Sequence, residues 1–275
     1  GACAKTVIAP GDRMKILYQT NPDRPFTWRR GAGTIVTIYR RTGVRGLWRG
    51  HFATLMRVIP FSATSFMMFD VYHTWLNKLN QKGSLVTVSN RFFAGAAAGA
   101  TATSLTYPLE LMRARMAAHW DLTPRYVNYY SGFSSIIREE GFFALWKGLR
   151  PTLLGIMPYA GLSFMTFETL KKRFLKWNLA DNPARSTATR LACGAVAGVV
   201  AQASTYPLDI VRRRMQVHPG MYSSELDAFR TIFRTEGLRG GLFKGVTVNL
   251  VKGPISVGVS FTVNDLMKTI LGVNR

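Results

Sequence analysis

The stretch SLTYPLELMRAR, residues 104–115, places a proline, a carboxylate and two arginines inside an otherwise apolar segment with helical character. Proline removes one hydrogen bond from a helix and bends it, and charged side chains in apolar surroundings are costly unless they are paired. Two other stretches, IAPGDRMK (8–15) and TYPLDIVRRR (205–214), have the same form. A pattern that occurs three times indicates that these charges share a role.

The spacing of the three stretches reveals an internal repeat. Their prolines are 98 and 99 residues apart, and each is followed by an acid two residues later and a base five residues later. A second marker, an aromatic residue followed by a base and a glycine, recurs at 48–50, 146–148 and 243–245. Because two independent markers keep one period, the sequence predicts three repeats. Their predicted bounds are 1–80, 81–178 and 179–275.

Each repeat contains two long apolar helices with a short helix between them. The predicted long helices span 1–20, 51–79, 88–119, 150–176, 186–217 and 246–272. Each is long enough to cross a bilayer at about 1.5 Å per residue. No run of about 18 apolar residues is uninterrupted. Apolar helices broken by isolated charges nevertheless suit a position between lipid and a water-filled cavity.

The charge balance narrows the function classes. Lys and Arg number 36 against 14 Asp and Glu, a net charge of +22, which predicts an anionic partner. A soluble nucleic-acid-binding protein would explain this charge but not the prolines or the period, so it is the weaker alternative. The sequence has no P-loop, Cys/His ligand spacing or nucleophile elbow, so we expect no enzyme, cofactor or metal site. Two cysteines do not support a disulfide framework.

The motif P-x-[D/E]-x-x-[K/R], followed by [D/E]-G-x-x-x-x-[W/Y/F]-[K/R]-G, resembles the mitochondrial carrier family over the whole chain. The resemblance implies an all-α membrane protein with six transmembrane helices. These would form three pseudo-threefold repeats, with short matrix-side helices, around a central cavity. It also implies a monomer in the mitochondrial inner membrane that transports its substrate by alternating access.

The repeated charges predict a gate at the proline end of the cavity, the matrix gate of the family. Acid and base in each motif lie on one helix face, and three converging helices would bring each acid to the next helix's base. Such pairs contribute little on a wet surface, but they can close the dry end of a cavity. The helix-bending residues are Pro10, Pro108 and Pro207, and the ion-pairing residues are Asp12, Lys15, Glu110, Arg113, Asp209 and Arg212.

Two glutamines resemble the braces that the family places beside this gate. Gln19 and Gln216 each stand nine residues after their proline. Ala117 occupies the same place in the second repeat, so no brace is expected there.

A second, cytoplasmic gate is implied by the family pattern [F/Y]-[D/E]-x-x-[K/R] in the other long helices. FETLK (167–171) matches, FDVYH (69–73) has histidine as its base, and NDLMK (264–268) lacks the aromatic residue. The residues concerned are Asp70, His73, Glu168, Lys171, Asp265 and Lys268. Because histidine is largely neutral near pH 7, we expect this gate to be the weaker one. An ordinary interfacial histidine is the alternative interpretation of His73.

A substrate site is expected midway along the second long helices, at Arg57, at Gly155, Ile156 and Tyr159, and at Lys252. Cations on two walls can clamp phosphates, and a glycine beside an aliphatic and an aromatic side chain leaves a slot for a flat base. Plain packing is the alternative for Ile156 and Tyr159. Within the family, Gly-Ile resembles the adenine-nucleotide contact point, and Lys5 matches a cavity lysine of the nucleotide carriers.

Several longer strings resemble the coenzyme A-transporting branch of the family, among them SLTYPLELMRARMA and VKGPISVGVSFT. This implies import of coenzyme A in exchange for adenine nucleotides or adenosine 3′,5′-diphosphate. The run RRRMQV (212–217) departs from the three arginines and three methionines of ADP/ATP exchangers. An ADP/ATP or ATP-Mg/phosphate carrier is the alternative, as is a channel or uncoupler. Coenzyme A, dephospho-coenzyme A and ADP share the adenosine phosphate core, so the pattern suits all of them.

A lipid site is implied where the aromatic–base–glycine marker and YSG (130–132) adjoin helix N-termini. Free backbone N–H groups at such termini can hold phosphate. By resemblance the ligand is cardiolipin, and helix capping is the alternative. The residues are Gly50, Tyr130, Gly132, Gly148 and Gly245.

Overall fold

The computed structural model describes residues 2–79, 84–118, 126, 128–178, 183–270 and 272. Within these residues all regular structure is helical. The helices are α1 (Ala2–Thr20), α2 (Trp28–Leu47), α3 (His51–Leu79), α4 (Ser84–Ala118), α5 (Tyr129–Glu140), α6 (Leu149–Asn178), α7 (Pro183–Val217), α8 (Glu225–Gly237) and α9 (Val246–Ile270). A 3₁₀ turn at Phe142–Trp146 follows α5, and a π turn at Leu238–Leu242 follows α8.

Six of these helices form a closed ring. The proline helices α1, α4 and α7 each contact the other two. Around them, α3 packs along α4, α6 along α7 and α9 along α1, so the second long helix of each repeat lies against the proline helix of the next. This arrangement has the threefold character expected from the sequence, and it brings the three proline motifs to one axis.

The short helices lie beneath the proline helices of their own repeats, where they bury apolar side chains. Leu111 and Met112 of α4 pack with Ile136 of α5 in one cluster. Ile210 of α7 packs with Ile232 of α8 in the equivalent cluster of the third repeat. The short helices are therefore fixed at the proline end of the ring.

Tryptophan compensates for the hydrogen bond that proline removes. In a helix, the N–H of residue 10 would donate to the carbonyl of Thr6, but Pro10 has no N–H. The indole Nε1 of Trp48 donates to that carbonyl instead, at 2.9 Å. Trp146 does the same for the carbonyl of Ser104, four residues before Pro108, also at 2.9 Å. The tryptophan of the aromatic–base–glycine marker thus donates a hydrogen bond to the carbonyl that each of these prolines leaves unpaired.

Glycines allow neighbouring repeats to approach closely. Gly50 and Gly148 have φ angles of +81° and +87°, a conformation that L side chains rarely adopt. A Cβ on Gly50 would lie 3.0 Å from the carbonyl oxygen of Arg113, and one on Gly148 would lie 3.2 Å from that of Arg212. Each glycine therefore allows the start of the second long helix of its repeat to pack closely on the proline helix of the next repeat.

Length and mean hydropathy identify three helical segments of the described chain that are apolar enough to cross a membrane. They lie within Trp28–Leu79, Thr189–Val217 and Glu225–Ile270. The surface of the ring is correspondingly apolar, with Ile59, Phe66 and Met165 each more than half exposed. An apolar outer surface around a charged interior is the arrangement expected of a bundle that lies in lipid.

Candidate functional site

Acids and bases of the proline motifs meet at the axis of the ring. Arg113 Nη2 lies 2.7 Å from Asp12 Oδ2, which joins α4 to α1. Arg212 is ion-paired with Glu110, which joins α7 to α4. Arg213 Nη2 approaches the same carboxylate at 3.5 Å. We call these side chains, together with Lys15, Asp209, Arg57 and Lys252, the proline-side cluster.

The third link of the predicted ring is not an ion pair. No described acid lies within ion-pairing distance of Lys15, and its ammonium group lies 5.3 Å from the centre of the Tyr206 ring. Gln19 Nε2 donates to the hydroxyl of Tyr206 at 2.9 Å and so holds this ring in place. Between α1 and α7, a cation–π contact and a hydrogen bond therefore replace the expected Lys15–Asp209 bridge.

Two cations predicted to bind substrate are paired with acids of the proline motifs. Arg57 Nη1 lies 2.6 Å from Glu110 Oε2, and its Nε donates to Thr106 Oγ1 at 3.0 Å. Lys252 Nζ lies 2.7 Å from Asp12 Oδ1. A ligand that binds Arg57 or Lys252 must therefore compete with these carboxylates, so the two predicted sites are physically connected.

A cavity of about 390 Å³ lies between α3, α4, α6 and α7. We call it the large cavity. Gly155, Ile156 and Tyr159, the residues expected to form a base-binding slot, line it together with Arg57. Its volume lies within the range of small-molecule pockets. Lys252, which was expected at the substrate site, lines neither this cavity nor the one between α1, α3 and α4, and is instead paired with Asp12.

A second cavity, of about 140 Å³, lies between α1, α3 and α4. We call it the small cavity. Lys5, Thr54 and Arg113 line it, whereas Arg57 and Glu110 line both cavities. The predicted site is therefore divided in two, with the Arg57–Glu110 ion pair as the partition.

Sequence reasoning missed four polar residues of the large cavity, Thr103, Thr152, Gln202 and Thr205. Two of them, Thr103 and Gln202, stand five residues before a motif proline, the same position that Lys5 has in the first repeat. The repeat symmetry would have found these two once Lys5 was chosen. A glutamine amide can pair with the N6 and N7 edge of adenine, and no hydrogen bond joins Gln202 to another described residue.

The predicted braces contact tyrosines. Gln216 Nε2 donates to the hydroxyl of Tyr107 at 2.8 Å, which mirrors the Gln19–Tyr206 contact. Both tyrosines immediately precede a motif proline, so the repeated TYPL string at 106–109 and 205–208 marks them in the sequence. Ala117 stands where the third glutamine would be, and Ala9 where its tyrosine would be. The interface between α1 and α4 therefore has no brace.

Two arginines that sequence reasoning did not select tie the short helices to the ring. Arg115 Nη2 lies 2.8 Å from Glu140 Oε2, and its Nε donates to the carbonyl of Gln216 at 2.8 Å. Lys147 also donates to Glu140, at 3.0 Å. Burial alone would raise the pKa of Glu140, but these hydrogen bonds outweigh it and lower that pKa from its ordinary value.

The third repeat has the same arrangement at the end of α7. Arg214 is ion-paired with Glu236, and its Nε donates to the carbonyl of Gln19 at 3.0 Å. In the first repeat the equivalent positions are Leu17 and Thr42. This clamp is therefore present at two of the three interfaces.

The other end of the ring is not closed by ion pairs between helices in the described part of the chain. Glu168 pairs with Lys171 of its own helix at 3.5 Å, Asp70 is exposed, and Lys268 is exposed. His73 stacks on Phe69 at 5.5 Å and contacts Asn77. The side chain of Asp265 lies outside the described residues. Within the described residues, the ion pairs that join neighbouring long helices thus lie at the proline end.

The residues of the implied lipid site differ in exposure. Tyr130 is 87% exposed, whereas Gly132 is buried at a position where a Cβ would lie 2.3 Å from Met112 Cε. Gly50, Gly148 and Gly245 are also buried, each with a positive φ angle. Close packing therefore accounts for these glycines in the structure, and the backbone N–H of Gly132 already donates to the carbonyl of Asn128 at 2.9 Å.

A sequence model of the family described as Mitochondrial carrier protein matches residues 1–80, 84–178 and 183–275. The chain belongs to the mitochondrial carrier family. This makes the carrier a transporter rather than an enzyme and places it in the mitochondrial inner membrane. The predicted all-α carrier fold is likewise confirmed.

Named relatives cover nearly the whole carrier. The Mitochondrial coenzyme A transporter SLC25A42 of Xenopus laevis is 44% identical over 275 residues, which cover 98% of this carrier and 83% of the relative. The protein of the same name from Homo sapiens is 44% identical over 277 residues, 98% of this carrier and 85% of the relative. The Mitochondrial carrier protein CoAc1 of Zea mays is 36% identical over 297 residues, 99% of this carrier and 85% of the relative.

Proposed function

We propose that this carrier imports coenzyme A into mitochondria in exchange for adenine nucleotides or adenosine 3′,5′-diphosphate. The observation that carries the proposal is that a slot large enough for a nucleotide base adjoins a cluster in which bases outnumber acids. Gly155, Ile156 and Tyr159 line the large cavity, and Arg57 lies at its edge. The relatives named as coenzyme A transporters support the same substrate.

Charge balance at the axis favours a highly anionic substrate. Seven bases meet three acids there, Asp12, Glu110 and Asp209, which leaves a surplus of four positive charges. The bases are Lys5, Lys15, Arg57, Arg113, Arg212, Arg213 and Lys252. Coenzyme A carries about four negative charges at neutral pH, of which the 3′-phosphate monoester supplies up to two. A substrate of this charge offsets the surplus.

Substrate binding would weaken the proline-side ion pairs. Phosphate oxygens that bind Arg57 and Lys252 withdraw one cation from Glu110 and one from Asp12, because each base can satisfy only a limited number of acceptors. The carboxylates then hold the proline helices together less strongly. In this proposal the proline end is the matrix gate, and the structure is the state that opens toward the cytosol.

Counter-exchange in liposomes tests the proposal. Purified carrier is reconstituted, and uptake of labelled coenzyme A is measured with ADP, adenosine 3′,5′-diphosphate or buffer inside. We expect uptake only with a nucleotide inside, and its loss in Arg57→Ala and Lys252→Ala. Lys172→Ala removes a positive charge from an exposed site outside the cavities and should retain uptake. Uptake of ADP without coenzyme A would favour an adenine-nucleotide carrier, and uptake into buffer-filled liposomes would favour a channel.

We also propose that the carrier acts as a monomer with bound cardiolipin. The ring of six helices encloses the cavities within one chain. The exposed Tyr130 and the N-terminus of α5 lie together at the proline end, where a phosphate could meet free N–H groups. Native mass spectrometry of the purified carrier tests both points. A dimeric mass, or no retained cardiolipin, would contradict them.

A further inference from the structure

The small cavity has a feature that the proposed exchange does not use. Thr54 is buried, and its Oγ1 has no hydrogen-bond partner among the residues that the structure describes. A buried hydroxyl without a partner is costly. Thr54 also lines the small cavity, beside Lys5, Arg57 and Arg113. A polar group in that position indicates a ligand that offers hydrogen-bond acceptors.

Lys5 is the available cation of the small cavity. Arg57 is bound to Glu110 and Arg113 to Asp12, so both are part of the proline-side cluster. Lys5 makes no ion pair with any described residue, and its side chain is accessible from the open end of the cavity. An anion can therefore bind Lys5 without breaking an existing ion pair.

We propose that the small cavity binds the 3′-phosphate of the nucleotide, and that Lys5 and Thr54 make the carrier prefer 3′-phosphorylated substrates. This rests on the proposed coenzyme A exchange. The small cavity adjoins the large one across Arg57. A nucleotide with its base against Gly155 and Tyr159 would place its ribose near that partition.

Size determines which phosphate enters. The small cavity holds about 140 Å³, enough for a terminal phosphate but not for a phosphate that continues into a long chain. In coenzyme A the 5′-diphosphate continues into the pantetheine arm, whereas the 3′-phosphate ends its branch. The terminal monoester also carries up to two negative charges, which suits Lys5 and the two flanking arginines. The 3′-phosphate is therefore the group that the small cavity fits.

Rigid placement of Arg57 supports this assignment. Its guanidinium lies 5.0 Å from the centre of the Phe61 ring, and Thr106 and Glu110 accept its hydrogen bonds. Thr54, Arg57 and Phe61 lie at successive turns along one face of α3. The wall of the small cavity is thus set before a ligand arrives, which favours selective binding.

A comparison of two substrates, with and without the 3′-phosphate, tests this inference independently of the proposed function. Initial uptake into ADP-loaded liposomes is measured for coenzyme A and for dephospho-coenzyme A, which differ only in the 3′-phosphate. In the wild type we expect a half-saturation concentration about tenfold lower for coenzyme A, as a charge-assisted contact of about 1.4 kcal/mol would give. Lys5→Gln should reduce this ratio to about twofold, and Thr54→Val should reduce it partly without a change in charge. Lys172→Gln should keep the tenfold ratio.

Each other outcome has a defined meaning. Equal half-saturation concentrations in the wild type, or an equal loss for both substrates in Lys5→Gln, would overturn the 3′-phosphate assignment while leaving coenzyme A exchange intact. Absence of uptake of both substrates in a folded wild type would instead refute the proposed function, and the inference with it. Thermal unfolding of each variant checks folding. If Lys5→Gln does not fold, an unchanged ratio in Thr54→Val overturns the assignment.

Discussion

Arg57 Nη1 lies 2.6 Å from Glu110 Oε2, which joins a side chain of the cavity wall to an acid of a proline motif. The same carboxylate also binds Arg212 and Arg213. One acid therefore holds cations from two other helices, α3 and α7. A ligand that engages Arg57 acts directly on the contact that closes the proline end, with no intervening residues.

The tryptophan that replaces the lost helix hydrogen bond offers a first prediction. Trp48→Phe removes the indole donor to the Thr6 carbonyl and imitates the third repeat, where Phe243 stacks on Tyr206. We expect a loss of about 1 kcal/mol in stability, because a partly buried carbonyl is left without its donor. Thermal unfolding in detergent measures it. Trp28→Phe, at an exposed indole, is the control, and equal midpoints for both variants would contradict the role of the hydrogen bond.

The brace between α7 and α4 can be measured by a double-mutant cycle. Gln216→Ala removes the donor to Tyr107, and Tyr107→Phe removes that acceptor together with its own bond to the Lys147 carbonyl. We expect a coupling energy of about 1 kcal/mol, because the two residues share one buried hydrogen bond. Ala117 marks the interface without a brace, so Ala117→Ser should show no coupling to Tyr107→Phe. Additive effects of Gln216→Ala and Tyr107→Phe would show that the bond contributes nothing.

The ion pair between Arg115 and Glu140 at the end of α5 should contribute to stability at neutral pH and lose that contribution in acid. Glu140→Gln leaves Arg115 buried with a neutral partner, and we expect a loss of about 3 kcal/mol at pH 7. The folded pKa of Glu140 is below its unfolded value of about 4.3. Its contribution is therefore complete above the unfolded pKa and is lost as the pH falls through the folded pKa.

Thermal unfolding of wild type and Glu140→Gln over a pH series checks this sign. The difference between their midpoints should be constant from about pH 6 to 8 and shrink below about pH 4. Glu139→Gln is the matched control, because that carboxylate is exposed and contacts Ser135 of its own helix. A difference that grew on acidification would contradict the clamp.

A substitution of His73, at the end of the ring opposite the motif prolines, should change the rate of transport. His73→Lys places a full positive charge three residues after Asp70, as Lys171 stands after Glu168. A stronger closed state at that end should slow exchange by about twofold to fivefold, the effect of a surface ion pair worth about 0.5–1 kcal/mol. Initial rates of homo-exchange in liposomes measure it. His73→Asn should keep the wild-type rate, and faster exchange in His73→Lys would contradict a gate at this level.

The sequence predicted what the repeat itself encodes. Proline, acid and base recur at fixed offsets, so three helices had to present the same face to one axis, and the Asp12–Arg113 contact followed. The prediction of the third link, between Asp209 and Lys15, was wrong. In the structure Lys15 lies over the ring of Tyr206, whose hydroxyl accepts a hydrogen bond from Gln19.

The division of the cavity lay beyond sequence reasoning for a related reason. Arg57 was expected in the site, but its rotamer, set by Phe61 and Thr106, makes it a partition between two cavities. Arg115 and Glu140 were different, because both stand at repeated offsets from the motifs and could have been read as a pair. Positions that recur at the same offset in several repeats therefore predict functional contacts better than any single motif does.

The interface between α1 and α4 has neither of the polar supports found at the other two. It lacks the glutamine–tyrosine brace, because Ala117 and Ala9 replace those residues, and it lacks the arginine clamp, because Leu17 replaces the arginine. Apart from the Asp12–Arg113 bridge, Ile16 and Ala118 meet there in an apolar cluster. The two helices can therefore separate at lower cost than the other pairs. If the proline end opens during transport as proposed, it should therefore separate first between α1 and α4 rather than widen equally on all three sides.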